Sequence, residues 1–262
     1  MANFEHHRKF KFWGLLGIII MVAIFLGLLW FWQGDSGTDI PPPATEPEEK
    51  SDISENEEAT IVPEPDYSQI PSSYSLEVPF SSQAPFADWG QPYQDACEEA
   101  SVLNVHYFYE GKEFTKEIAD QEILDFIQFE NEYLGFYRST TASELAEISR
   151  EYLGYDRVEI IDNPTPGDIK YHISEGRPVI VPAAGRKLGN PNFTPPGPLY
   201  HMYVIRGYDE SSFYTNDVGT RLGENYRYDI DTVMNSISDW DGVGDLSREK
   251  RVLVIYPKKD PE

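Results

Sequence analysis

Cysteine is almost absent from this 262-residue chain: Cys97 stands alone. A single thiol forms no internal disulfide, so in an exported chain it is an inert core residue, an intermolecular link or a nucleophile. Basic residues are scarce as well, 21 Lys and Arg against 45 Asp and Glu, and the net charge is −24. Such an excess argues against nucleic acid as a partner, because a polyanion is repelled. The remaining composition, 40% hydrophobic and 14% aromatic, suffices for one ordinary domain with appendages.

Two further absences locate the appendages. Residues 12–32 contain no charge, and the run from Leu15 to Leu26 is wholly apolar apart from Gly17. A bilayer needs about 20 apolar residues, so this reads as a membrane span. Arg8, Lys9 and Lys11 precede it and acids follow, which places the N-terminus in the cytoplasm and the rest outside. Trp13, Trp30, Phe31 and Trp32 suit the two interfaces. A cleaved signal peptide has a shorter apolar region, about 7–15 residues, and an Ala-x-Ala-like site that is missing here, so a retained signal anchor is the preferred reading. Residues 33–75 have almost no large apolar side chains before Ile61, carry seven prolines, and hold eleven acidic residues against one basic. Such a stretch cannot repay its ordering entropy and reads as a disordered stalk. The chain thus divides into a cytoplasmic N-terminus (1–11), a transmembrane signal anchor (12–32), an acidic Pro-rich stalk (33–75), a folded domain (76–258) and a tail (259–262).

Within the domain no repeats occur. Helical periodicity covers 97–109, 115–130, 143–152 and 167–175, and more weakly 231–239; strand patterns cover 179–181, 202–205, 213–215 and 252–256. Helices first and antiparallel strands second make an α+β arrangement.

Asp95 is a good N-cap, and Glu98 three residues on completes a capping box, which puts Cys97 in the first helical turn. Helix-end amides favour a thiolate there, and the acids Glu98 and Glu99 oppose it. A cationic partner is therefore required, and histidine suits. His6 and His7 lie across the membrane on this reading. His106 is nine residues along the same helix, about 13 Å away at about 1.5 Å per residue. His172 sits on a short amphipathic helix whose polar face points to solvent. His201 remains. It opens an apolar strand, and a hairpin centred near residue 209 sets Asp217 opposite it, as a carboxylate that orients an imidazole. A plain surface contact between strands is the competing account of that pair, and Asp209, in the turn, is a weaker orienter.

Gln91 six residues before Cys97, a helix beginning at the cysteine, His201 with its apolar strand and Gly207-Tyr208-Asp209, and then Asn216-Asp217 resemble the papain-like cysteine peptidases. More closely, the chain resembles the bacteriocin-processing (double-glycine leader) peptidase-like family over roughly residues 78–256. Gly176-Arg177-Pro178-Val179-Ile180-Val181, Gly219-Thr220-Arg221, Tyr226-Arg227-Tyr228 and Asp239-Trp240 extend the likeness. The resemblance implies a papain-like fold with the nucleophile on the helical half and an antiparallel sheet following. It implies Cys97 as nucleophile, His201 as general base then acid, Asp217 as orienter, and Gln91 as oxyanion donor beside the Cys97 backbone N–H, with Gln94 the weaker competitor. Ala96-Cys97-Glu98 replaces the Asp-Cys-Gly common in leader peptidases, and no Gly-x-x-x-x-Gly-Lys-Ser/Thr element of an export ATPase is present, so the double-glycine substrate does not transfer.

The implied activity is acyl transfer on a peptide or protein substrate by a membrane-anchored, extracytoplasmic cysteine peptidase, needing no metal or cofactor. Zinc on Cys97, His201 and Asp217 is disfavoured by the lack of a paired ligand motif. A catalytically silent binding module for peptides or wall material and a transacylase using the same three residues are the alternatives. The Gly/Pro-rich loop 185–198 leads into His201 and either borders the cleft or is a surface excursion. Phe86 and Trp89 either line the cleft or, the favoured reading, close the core.

Overall fold

The computed structural model describes residues 66–247 and 249–259; the anchor and most of the stalk lie outside them. No helix among the described residues is long and apolar enough to cross a membrane.

Five helices are present among these residues: α1 (Cys97–Glu110), α2 (Lys116–Tyr133), α3 (Ala142–Glu151), α4 (Pro166–Ser174) and α5 (Ile230–Ser236). Seven strands accompany them: β1 (Tyr74–Ser75), β2 (Val158–Asp162), β3 (Val179–Ala184), β4 (Tyr200–Tyr208), β5 (Ser212–Asn216), β6 (Tyr226–Asp229) and β7 (Arg251–Ile255). They form one antiparallel sheet in the order β2-β7-β3-β4-β5-β6, with β1 paired to the end of β4 that β3 does not reach.

Period-two alternation sorts the side chains between two cores. Ile180, Met202, Val204, Leu253 and Ile255 face a cluster built with α1, α2 and α3. Val179, Val181, Tyr203, Ile205, Val252 and Val254 face the other, built with Ile169 and Ile173 of α4 and Val233 of α5. Both faces of the sheet are therefore dry, and its central strands are continuous apolar runs. Helix α1 lies between β4 and α2, with Cys97 to Val105 all buried. It has no solvent face along that length, so its amphipathic signal is faint.

Helix ends follow local chemistry. Thr141 with Glu144, and Thr165 with Asp168, close capping boxes on α3 and α4, and Pro166 occupies the first turn of α4. Gly111 ends α1 at φ 61°, where a side chain would be strained.

Several expectations need correction. The α1 cap is Ala96, with no side-chain cap, because residues Tyr93–Asp95 form a 3-10 turn that carries the Asp95 carboxylate outward, toward Gln91 and Arg138. Strands β2 and β6 escaped the sequence reading: both lie at sheet edges, where half-exposed residues blur the alternation. The last helix is shorter than expected, since Ile237 turns extended and bridges Ala183. Order also begins before Leu76: β1 pairs with β4, and the Tyr67 hydroxyl donates to Asp168.

Candidate active site

The cleft is about 740 Å³, and Cys97, from the first turn of α1, and His201, from β4, both line it. Asp217 follows β5 directly and is fully buried. His201 Nε2 lies 2.8 Å from Asp217 Oδ1. The ladder pairs Val204 with Asn216, so His201 and Asp217 are diagonal rather than directly opposed, and a bulge between Ile205 and Gly207 shifts the register again toward the turn. Contact survives because β5 ends at Asn216 and the diagonal neighbour is still within reach of the ring edge. With Nε2 taken, Nδ1 is the ring nitrogen that Asp217 does not engage.

Asp217 is held by four donors. Besides His201, the Gly219 N–H reaches Oδ1 at 3.1 Å, Asn190 Nδ2 reaches Oδ2 at 3.1 Å, and the Tyr228 hydroxyl donates to Oδ2. Burial raises its pKa, but the His201 interaction and the other donors outweigh burial and keep the carboxyl below its ordinary value. Gly219 must remain a glycine: a Cβ there would sit 2.7 Å from His201 Cε1 and 3.1 Å from Phe193 Cε1.

The thiol differs from the sequence expectation. Cys97 is 6% exposed, and its Sγ donates to Glu98 Oε2 at 3.0 Å. Burial foremost, then Glu98, pushes its pKa well above normal, opposed by a backbone hydrogen bond from Met202 that favours the thiolate. Glu98 is itself buried, and its pKa is pushed well upward, by burial and then by Glu99. The helix end alone does not make a resting thiolate here, because desolvation wins over partial charges.

Gln91 is exposed and does not line the cleft. Its Nε2 donates to Asp95 Oδ2 at 2.7 Å, and its Oε1 accepts from the Tyr137 hydroxyl at 2.6 Å. Gln83, overlooked in the sequence, is buried and lines the cleft, donating through Nε2 to Tyr93 O at 2.8 Å and Gln94 O at 3.0 Å. Its signal lay in Val78-Pro79-Phe80-Ser81-Ser82-Gln83, an apolar segment entering the domain ahead of the nucleophile helix, whereas counting back from Cys97 favoured the nearer glutamine. Gln94 also lines the cleft.

Of the other histidines, His106 Nδ1 lies 2.9 Å from the Tyr155 hydroxyl. His172 is buried rather than exposed: its Nδ1 accepts from Arg177 Nε at 3.1 Å, and burial, then Arg177, lowers its pKa to about 4. The 185–198 loop borders the cleft through Asn192, Phe193, Thr194, Gly197 and Pro198. Trp89 lines it too, and both Trp89 and Phe86 are exposed, so neither closes the core. Among the described residues no group of three His, Cys, Asp or Glu is placed to hold a metal.

Residues 75–247 match the model of the peptidase C39-like family. The chain belongs to the peptidase C39-like family. It is a cysteine peptidase, and its only thiol is Cys97. The resemblance drawn from the sequence is met at this level of family. Among solved structures, this C39-like chain is similar to a putative C39-like peptidase from Bacillus anthracis, at 15% identity and TM-score 0.48 over 72% of this chain and 100% of that one. It is similar also to xylellain, a cysteine protease from Xylella fastidiosa, at 12% identity and TM-score 0.42 over 74% of this chain and 88% of that one. No curated protein matches it.

Proposed function

We propose that this C39-like chain hydrolyses peptide bonds through Cys97, His201 and Asp217, and that it works outside the cell, tethered by residues 12–32. The observation that carries the reading is the buried His201–Asp217 pair, 2.8 Å apart, with its imidazole lining the same cleft as the only thiol. Substrate arrives, His201 Nδ1 takes the Sγ proton, and the sulfur attacks the scissile carbonyl. The ionised Asp217 stabilises the imidazolium. The resulting oxyanion is met by the first-turn N–H of Cys97, which no helical carbonyl reaches, and by Gln83. Both Gln83 amide hydrogens are engaged by the Tyr93 and Gln94 carbonyls in the free enzyme, so one is shared when the oxyanion forms. The imidazolium then protonates the leaving amine, and water hydrolyses the thioester.

The raised thiol pKa makes this general-base catalysis rather than attack by a standing thiolate. The charge asymmetry around residues 12–32, basic before and acidic after, supports the extracytoplasmic placement. The Cys97–Glu98 hydrogen bond favours a second reading, a silent peptide-binding module whose thiol never ionises. A peptide-library cleavage screen on the purified protein decides between them. Hydrolysis by the wild type that Cys97→Ala abolishes supports the enzyme reading; hydrolysis unchanged in that variant rules out Cys97, and binding without turnover favours the module.

A further inference from the structure

We propose that Asn190 is a positioning residue that ties the rim loop of the cleft to the Asp217 carboxylate, so that the state of the loop sets the alignment of the His201–Asp217 pair. The inference rests on the triad reading above and extends it from the reacting groups to their support.

Every polar atom of the Asn190 side chain is used. It is 6% exposed; Nδ2 donates to Asp217 Oδ2 at 3.1 Å and to the Tyr228 hydroxyl at 2.7 Å, while Oδ1 accepts from the Asn192 N–H at 2.9 Å. An amide offers two N–H donors and one carbonyl, and this site consumes all three. An aspartate here would set carboxylate against carboxylate. An aliphatic residue would leave the Asn192 N–H without this acceptor and Oδ2 with Tyr228 alone.

The other end of the connection is the rim. Asn190 starts a turn closed by Phe193 N–H donating to the Asn190 carbonyl at 3.2 Å, and Asn192, Phe193 and Thr194 line the cleft. Phe193 meets the His201 ring edge-on, with centroids 5.3 Å apart. One four-residue turn therefore touches both members of the hydrogen-bonded pair, the carboxylate through Asn190 and the imidazole through Phe193. A substrate side chain that seats against Asn192, Phe193 or Thr194 bears on the turn that aligns the base.

The test compares the full chain with Asn190→Ala and Asn190→Asp, by peptide cleavage kinetics and by the low-field proton resonance of the His201 Nε2–H. The alanine variant should melt within a few degrees of wild type. The alanine variant should lose roughly 10- to 100-fold in kcat with little change in KM, since misalignment by about 1 Å costs on that order, and its imidazole proton should shift or broaden. The isosteric aspartate should lose more, because it opposes the charge it faces. Wild-type kcat and an unmoved resonance in folded variants would overturn the proposal, as would a lowered melting temperature with kcat intact. Absence of cleavage by the wild type would count against the triad reading instead, and the resonance of wild type against Asn190→Ala would still decide the positioning role.

Discussion

Two groups of buried acids share this domain, and their pKa values are shifted in opposite directions. Asp217 is fully buried and ionised, because His201, Gly219, Asn190 and Tyr228 surround it with donors. Glu99 of α1 and Glu130 of α2 are equally buried, and their carboxyl groups meet each other rather than a set of donors like that around Asp217. Burial first, then Glu130, raises Glu99 well above its ordinary pKa, and burial raises Glu130 to about 8. Protonation of one acid supplies the donor the other lacks. Depth alone therefore does not set the charge of a carboxyl: the supply of N–H and O–H groups does. Glu98 belongs with the second group, so the acids beside the thiol are shifted upward while the one beside His201 is shifted downward.

The contrast can be broken most severely at Asp217. Asp217→Ala strips the imidazole of its orienter and leaves Asn190 and Tyr228 with an empty site; kcat/KM for a cleaved peptide should fall roughly 10³- to 10⁴-fold. Activity within about tenfold of wild type would deny Asp217 its role. A smaller loss, roughly 100-fold in kcat, is expected for Gln83→Ala. Gln91→Ala, its control on the exposed side of the Asp95 turn, should stay within about threefold of wild type, as a surface change would. The reverse ranking of the two glutamines would return the oxyanion role to Gln91.

On the neutral side, the expected effect is on stability rather than rate. A raised acid in the folded state holds its proton while the unfolded chain has released it near the ordinary value of 4.5. Stability should therefore fall as pH rises from that value to about 8 and level off above it. Glu130→Gln removes this slope, and the difference from wild type in denaturant melts should grow with pH to a few kcal/mol. Equal pH slopes in the two proteins would show that Glu130 titrates normally. Asp217 acts in the opposite sense. Its depressed pKa contributes stability that is present above the ordinary carboxyl value and lost as pH falls through the folded-state pKa; Asp217→Asn should flatten that acid limb, by the smallest margin of these changes.

Much of the fold was legible in residues. The helices that follow Thr115, Thr141 and Thr165 announce themselves by periodicity, and β3, β4, β5 and β7 by apolar runs, since local propensity and burial agree there. The single thiol at a helix start and one histidine at the head of an apolar strand could be read as partners by elimination. Edge strands, the bulge that moves the hairpin register, and the burial of His172 could not be, because each depends on what packs against it from a distant segment.

By itself, then, the sequence determined the element types, the identity of the only thiol and the short list from which its partners come, because those follow from composition and from neighbours along the chain. Tertiary structure alone decided that Gln83 rather than Gln91 stands in the cleft, that Asp217 meets His201 on the diagonal, and that the pKa values of Glu98, Glu99 and Glu130 are pushed up while that of Asp217 is pulled down. The physical reason is that hydrogen-bond supply and desolvation are properties of a place in space, filled by residues up to scores of positions apart, and no local pattern encodes them.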